Sequence, residues 1–210
     1  MGNAIEIAER LDRLSPPTIR FLSEREPFRF LVCVVLSAQT SDQTVNSVVP
    51  ELFGRYPTRH DLAHAEQTDV ERLIHATGFF HTKAKHIIAL ARELEGKEIP
   101  TTLAGLTRLP GVGRKTANCY LGDVLGRPAI IVDTHFGRVV RRLGLVDSRD
   151  PEVVEVELKR QLPETMQYRF SMTANLFGRT TCHAKKPLCD GCPLRDLCPS
   201  RGGQIPGPTK

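Results

Sequence analysis

The chain has 210 residues, 40 % of them hydrophobic and 25 % charged, a balance that excludes both a disordered tail and a bundle of membrane spans. Its 29 Lys and Arg against 24 Asp and Glu leave a formal charge of +5, which suits a polyanionic partner without requiring one. The most apolar stretch, LVCVVL at 31–36, is far shorter than the roughly 20 residues that cross a bilayer.

The opening segment MGNAIEIAERLDRL mixes acids and bases at helical spacing and has neither the apolar centre nor the cleavage site of a secretory leader, so a cytoplasmic setting is expected. In that reducing compartment the six cysteines do not read as three disulfides. Apolar positions recur at three- and four-residue spacing, which predicts an all-α chain of about ten short helices. Pro27 starts one whose face is Phe28, Leu31, Val32, Val35 and Leu36. Ser41 or Asp42 starts the next, Thr68 with Glu71 reads as a capping box, and Asp150 before Pro151 opens a later helix. Gly54, Gly78, Gly96, Gly126 and Gly144 sit where stops are expected. Residues 199–210 hold Gly-Pro turns and no periodicity, and are expected to be a flexible tail.

Three patterns carry chemistry. Cys182, Cys189, Cys192 and Cys198 follow C-x6-C-x2-C-x5-C, so four thiolates can wrap one compact centre almost without secondary structure. Structural zinc usually takes two short-spaced couples and here only Cys189 and Cys192 form one, so a 4Fe-4S cube is favoured, with zinc the alternative. Cys33 and Cys119 sit in apolar helical settings and read as small core residues. The second pattern, LPGVGRKTA from Leu109, is a helix-hairpin-helix turn between a helix ending near Arg108 and one running from Gly113 to Leu125. Gly111 and Gly113 bare the backbone, so N–H groups can close on a phosphate at the positive end of the second helix, with Arg108, Arg114 and Arg127 nearby. The third is Lys115 with Asp133, where Asp133 precedes THFGR at an N-cap position. Taken singly, the lysine reads as a phosphate contact and the aspartate as a cap.

LSAQTSDQTVN, GFFHTKAKHI, LPGVGRKTAN, VDTHFGRV and the closing cysteine pattern occur here in one order, and over residues 20 to 198 the chain resembles the endonuclease III family of bacterial DNA glycosylase/lyases. The resemblance implies an all-α, two-lobed helix-hairpin-helix glycosylase fold with a C-terminal 4Fe-4S loop. A six-helix barrel would cover 20–127, with the hairpin at about 103–123. Residues 1–19 plus 128–198 would build the cluster lobe, and DNA would lie in the groove between the lobes.

The resemblance further implies base excision repair of oxidised pyrimidines in double-stranded DNA. Lys115 would attack C1′ of a flipped nucleotide, form a Schiff base and cut 3′ to the abasic site by β-elimination, and Asp133 would steady the charge on the sugar and help move protons. Attack needs a neutral amine, expected here from burial and from Arg114. Gln39 and Phe79 align with the residues that fill the gap left by the flipped base; the family commonly has an aliphatic side chain at the second position, and this chain departs with an aromatic one. Lys185 and Lys186, in an acid-free loop between the first two cysteines, are expected to touch phosphate. The expected DNA contacts are thus Gln39, Phe79, Leu109, Gly111, Gly113, Arg114, Lys185 and Lys186. A monomer at the nucleoid suffices for one lesion. The alternatives are a mismatch or uracil glycosylase of the same superfamily and a non-catalytic DNA-binding module.

Overall fold

The computed structural model describes residues 2–201, and among them there are eleven α-helices, one 3-10 turn and no strand. Arg20–Gly126 form one compact unit; among the described residues, 2–19 and 127–201 form the other.

The first unit is built on α2 (Pro27–Leu36). Pro27 occupies its first turn, and the Glu26 carboxylate accepts from the N–H groups of Phe28 at 3.2 Å and Arg29 at 2.7 Å. Phe28 and every residue from Phe30 to Leu36 are buried, so this helix is apolar on nearly all sides and lies in the centre of its unit, against α3 (Asp42–Arg55), α6 (Phe80–Glu93) and α8 (Arg114–Asp123). Each such buried Leu, Val or Phe contributes roughly 1.5–3 kcal/mol over its exposed state. The α4 (Arg59–Ala63) and α5 (Gln67–Ile74) helices pack on α6, and a 3-10 turn, His75–Thr77, leads from α5 into the loop before it. Of the two candidate starts, Ser41 caps α3 by accepting from Thr44 N.

The expected Thr68/Glu71 capping box does not form. The α5 helix begins earlier, with Glu66 in extended conformation at its N-cap and no side-chain cap, so Thr68 is already inside the helix; Glu71 instead pairs with Gln67 and His81. The capping box in this unit is Thr58 with Asp61, ahead of α4. Gly54 likewise lies inside α3 rather than after it.

The second unit packs α1 (Gly2–Leu14), α9 (Thr134–Arg142), α10 (Pro151–Gln161) and α11 (Glu164–Thr180) around Ile7, Leu11, Phe136, Val139, Leu158 and Phe170. Phe136 meets Phe170 edge-on, with ring centroids 5.7 Å apart. At Gly178 a Cβ would sit 3.1 Å from the His135 carbonyl oxygen, so the absent side chain lets α11 press on the start of α9. Arg169 ties α11 to the end of α1 through Asp12 and the carbonyls of Pro16 and Pro17. Ser200 is buried, whereas residues 202–210 of the expected tail lie outside the described residues.

Candidate active site and cysteine centre

The hairpin joins α7 (Leu103–Leu106) to α8. Leu109 and Val112 turn their side chains into the core, and Val112 N donates to Leu109 O at 3.1 Å to close the turn. Leu109 therefore has only its backbone to offer a ligand. Gly111 adopts φ +73, and a Cβ there would stand 2.8 Å from His86 Cβ and 3.1 Å from Val35 Cγ1, so both the backbone and the space require glycine. Gly113 is the N-cap of α8 and supplies no side chain, whereas Ser41, Thr58, Thr102, Asp133 and Asp150 cap their own helices. The positive end of α8 thus opens beside Arg114 and Lys115. Lys115 is exposed, so the burial expected to free its amine is not supplied by the protein's own surface.

Asp133 is the N-cap of α9. Its Oδ1 accepts from Phe136 N at 2.8 Å and its Oδ2 from the Asn175 side-chain amide at 2.5 Å. Asn175 in turn accepts from Arg179 Nε at 2.7 Å. Asn175 is almost fully buried and was not foreseen; its only sequence signal is a polar side chain on the apolar stripe of α11, one turn before an arginine. Lys115 belongs to the first unit and Asp133 to the second.

Gln39 and Phe79 are the two non-glycine residues with positive φ among the described residues, at +54 and +49. Such left-handed backbone costs of order 1–3 kcal/mol for a residue other than glycine and persists where surrounding structure imposes it. Both side chains are exposed, Phe79 at 66 %. Lys83, buried on α6, donates its Nζ to Thr77 O at 2.8 Å and so braces the turn that presents Phe79, although burial pushes the amine's pKa down. Phe80 is half-buried and lies between His75 and His81. The aromatic pair therefore divides, with one ring anchoring the turn and one standing out of it.

Cys182, Cys189, Cys192 and Cys198 all line one small cavity of ≈ 30 Å³, walled by Leu143 and Phe177. Two arginines of α9, also not foreseen, hold the loop. Arg142 donates to His183 O at 2.7 Å and Ala184 O at 2.8 Å, and its Nη1 is 3.3 Å from Cys182 Sγ; Arg138 reaches Cys182 O and Gly178 O. Arg142 Nε is buried with no hydrogen-bond partner, as suits a donor and a positive charge set beside a thiolate-bound cluster. Burial pushes the Cys192 and Cys198 thiols up, so their thiolate forms depend on metal. Cys33 is buried in α2 with its thiol pushed up to about 12, a core residue, and Cys119 is half-buried. Lys185 and Lys186 are exposed.

Among the described residues no helix is long and apolar enough to cross a membrane. Residues 32–164 match the HhH-GPD superfamily of base excision DNA repair proteins, and residues 182–198 match the iron-sulfur binding domain of endonuclease III. The chain is 43 % identical over 202 residues to endonuclease III of Synechocystis, covering 94 % of this chain and 92 % of that one. It is 36 % identical to endonuclease III of Escherichia coli K12, covering 92 % and 93 %. Two solved structures, a non-covalent endonuclease III-DNA complex and a trapped endonuclease III-DNA covalent intermediate, each superpose with a TM-score of 0.89 at 35 % identity, covering 96 % of this chain and 98 % of theirs. The all-helical fold, the hairpin and the iron-sulfur segment agree with these matches, and the chain belongs to the endonuclease III family of the HhH-GPD superfamily.

Proposed function

We propose that this chain, a base excision repair DNA glycosylase with AP lyase activity, excises oxidised pyrimidines from double-stranded DNA through Lys115 and Asp133. The observation that carries this reading is Lys115 exposed beside the one α8 terminus that a glycine leaves without a side-chain cap, a nucleophile next to a phosphate cradle. Backbone N–H groups at Gly111 and Gly113, with Arg114, would grip one phosphate of the damaged strand, and Leu109 would contribute its backbone. The Lys115 Nζ lone pair attacks C1′ as the glycosidic bond breaks and the base leaves with its bonding electrons and a proton. The sugar ring then opens, the C1′–O4′ bond breaking with its electrons on O4′, which takes up the proton lost from nitrogen; the resulting Schiff base acidifies the 2′ hydrogen, whose loss breaks the C3′–O bond, releases a 5′-phosphate end and cuts the strand, and water then frees the lysine. A flipped nucleotide closing over Lys115 would supply the dry surroundings that its exposed position lacks. Asp133, held by Asn175, would face the growing positive charge on the sugar and take up or return protons.

Gln39 would hydrogen-bond the orphaned base and Phe79 would wedge into the stack; their imposed backbone and exposed side chains support that use. Lys185 and Lys186 would add phosphate contacts. Residues 20–127 would form the barrel lobe, with 1–19 and 128–198 the cluster lobe. The chain carries an iron-sulfur centre, and we assign its four ligands to Cys182, Cys189, Cys192 and Cys198 in a 4Fe-4S cube. Bound there, the cluster supplies a rigid anchor for the loop. A monomer working at the nucleoid is sufficient for this activity.

Borohydride trapping tests the assignment with duplexes carrying thymine glycol, uracil, an abasic site or no lesion. Wild type is expected to form a covalent band with thymine glycol and with the abasic site, and Lys115→Gln none while still binding DNA. A band that survives in Lys115→Gln would displace Lys115 as nucleophile, and trapping on uracil but not thymine glycol would replace the oxidised-pyrimidine reading.

A further inference from the structure

Outside the residues used above, three metal-ligating side chains meet on the surface of the first unit. His60 lies on α4 and His64 caps its C-terminal end, so the two imidazoles stand one turn apart with ring centroids 4.4 Å from each other. The third group comes from the turn that follows α6: Glu95 Oε1 is 2.5 Å from His60 Nδ1 and 3.9 Å from His64 Nδ1. One ligand atom from each residue lies within 4.8 Å of the other two, and among the described residues this is the one such group of three. We propose that His60, His64 and Glu95 bind a zinc-class dication.

Three features favour a metal over a simple ion pair. His64 Nδ1 is 3.0 Å from His60 O, and because a carbonyl only accepts, that nitrogen donates and the lone pair left on Nε2 is the one His64 offers an ion; His60 Nδ1 donates to Glu95 while the site is empty, and a dication would displace that proton to use both groups. The scaffold is closed before any ion arrives: Arg59 donates to Leu94 O at 2.9 Å and Lys97 O at 2.8 Å, and Arg92 donates to Ala63 O at 2.7 Å. These bonds tie α4 to the end of α6 from both sides, so the ligands are presented by elements already joined to each other. Lastly, two imidazoles with one carboxylate suit zinc and its neighbours rather than magnesium or calcium, which take oxygen donors. All three side chains are exposed, so water completes the coordination and the ion exchanges freely with solvent. Its effect is a cross-link between α4 and the turn after α6, which stabilises the unit by mass action.

Untagged, cluster-loaded protein titrated with zinc alone tests this, with bound zinc and iron counted together and thermal unfolding followed in parallel. Wild type is expected to take one zinc per chain with its iron undiminished and to unfold several degrees higher. His64→Ala and Glu95→Gln, which keep full iron and so report their own folding, are expected to bind zinc at least tenfold more weakly and to lose the thermal shift. Wild type that binds no zinc, variants that bind it as well as wild type, or zinc uptake only as iron is lost to the cysteines would each overturn the proposal.

Discussion

Asn175 donates its side-chain amide to the one oxygen of Asp133 that does not cap α9, and so fixes the plane of that carboxylate from 42 residues away. The cap alone leaves Asp133 free to turn its second oxygen; the amide removes that freedom, and Arg179 holds Asn175 in turn. Asn175→Ala is therefore expected to keep the helix cap and DNA affinity while slowing single-turnover base release at least tenfold. Unchanged turnover with normal folding would show that Asp133 needs no such brace.

Phe79 holds a backbone conformation suited to glycine while its ring stands in solvent. Phe79→Gly is expected to raise folding stability by about 1 kcal/mol, because relief of the left-handed strain outweighs the little burial lost and the extra freedom of the unfolded chain. The same change is expected to cut excision from lesion duplexes about tenfold and strand cleavage at preformed abasic sites by less, since an abasic nucleotide flips without a base to extract. Thermal unfolding and paired kinetics on the two substrates measure both effects. A variant less stable than wild type would show that the turn is not strained.

Gly111→Ala meets His86 Cβ and a positive φ together, so it is expected to cost about 2 kcal/mol or more and to weaken DNA binding by shifting the hairpin. Gly113→Ala is the control, because nothing lies within 4 Å of the new Cβ and its φ is −84; its cost is expected within about 1 kcal/mol. Equal losses in urea unfolding would sink the packing explanation.

Arg142 serves two carbonyls and a cysteine sulfur at once, and its planar fork is what allows this. Arg142→Lys is expected to lose part of the bound iron, and Arg142→Met most of it, as read by iron per chain in freshly purified protein. Full iron in Arg142→Met would make the arginine a loop brace of no consequence to the centre.

Asp69 receives hydrogen bonds from the Arg72 guanidinium at 2.6 Å and the Tyr56 hydroxyl at 2.7 Å, and these hold its carboxyl below the ordinary value of 3.8. A depressed folded-state value means the unfolded chain takes up the proton first, so the stabilisation is complete above the ordinary value and fades as pH falls through the lowered one. The stability gap between wild type and Asp69→Asn is expected to be constant above about pH 5 and to close on acidification below that. A gap independent of pH would mean that geometry rather than charge stabilises this contact.

What the amino-acid sequence determined on its own is whatever is local. Helical periodicity, the Pro27 and Asp150 starts, the hairpin glycines, the Asp133 cap and the cysteine spacing all act within about four residues or one loop, where backbone geometry alone dictates the outcome. The Thr68 capping box failed because the pattern permits a start without requiring one: α5 begins at Gln67 with no side-chain cap, and Thr68 falls inside it. Tertiary structure decided the rest. Asn175 against Asp133, Arg142 against the cysteine loop and Glu95 against His60 join positions 35 to 42 residues apart, and which faces of two helices meet depends on summed core packing that no short window contains. The left-handed backbone at Gln39 and Phe79 belongs to the same class, since no local preference puts a glutamine or a phenylalanine there and only the surrounding fold can hold them.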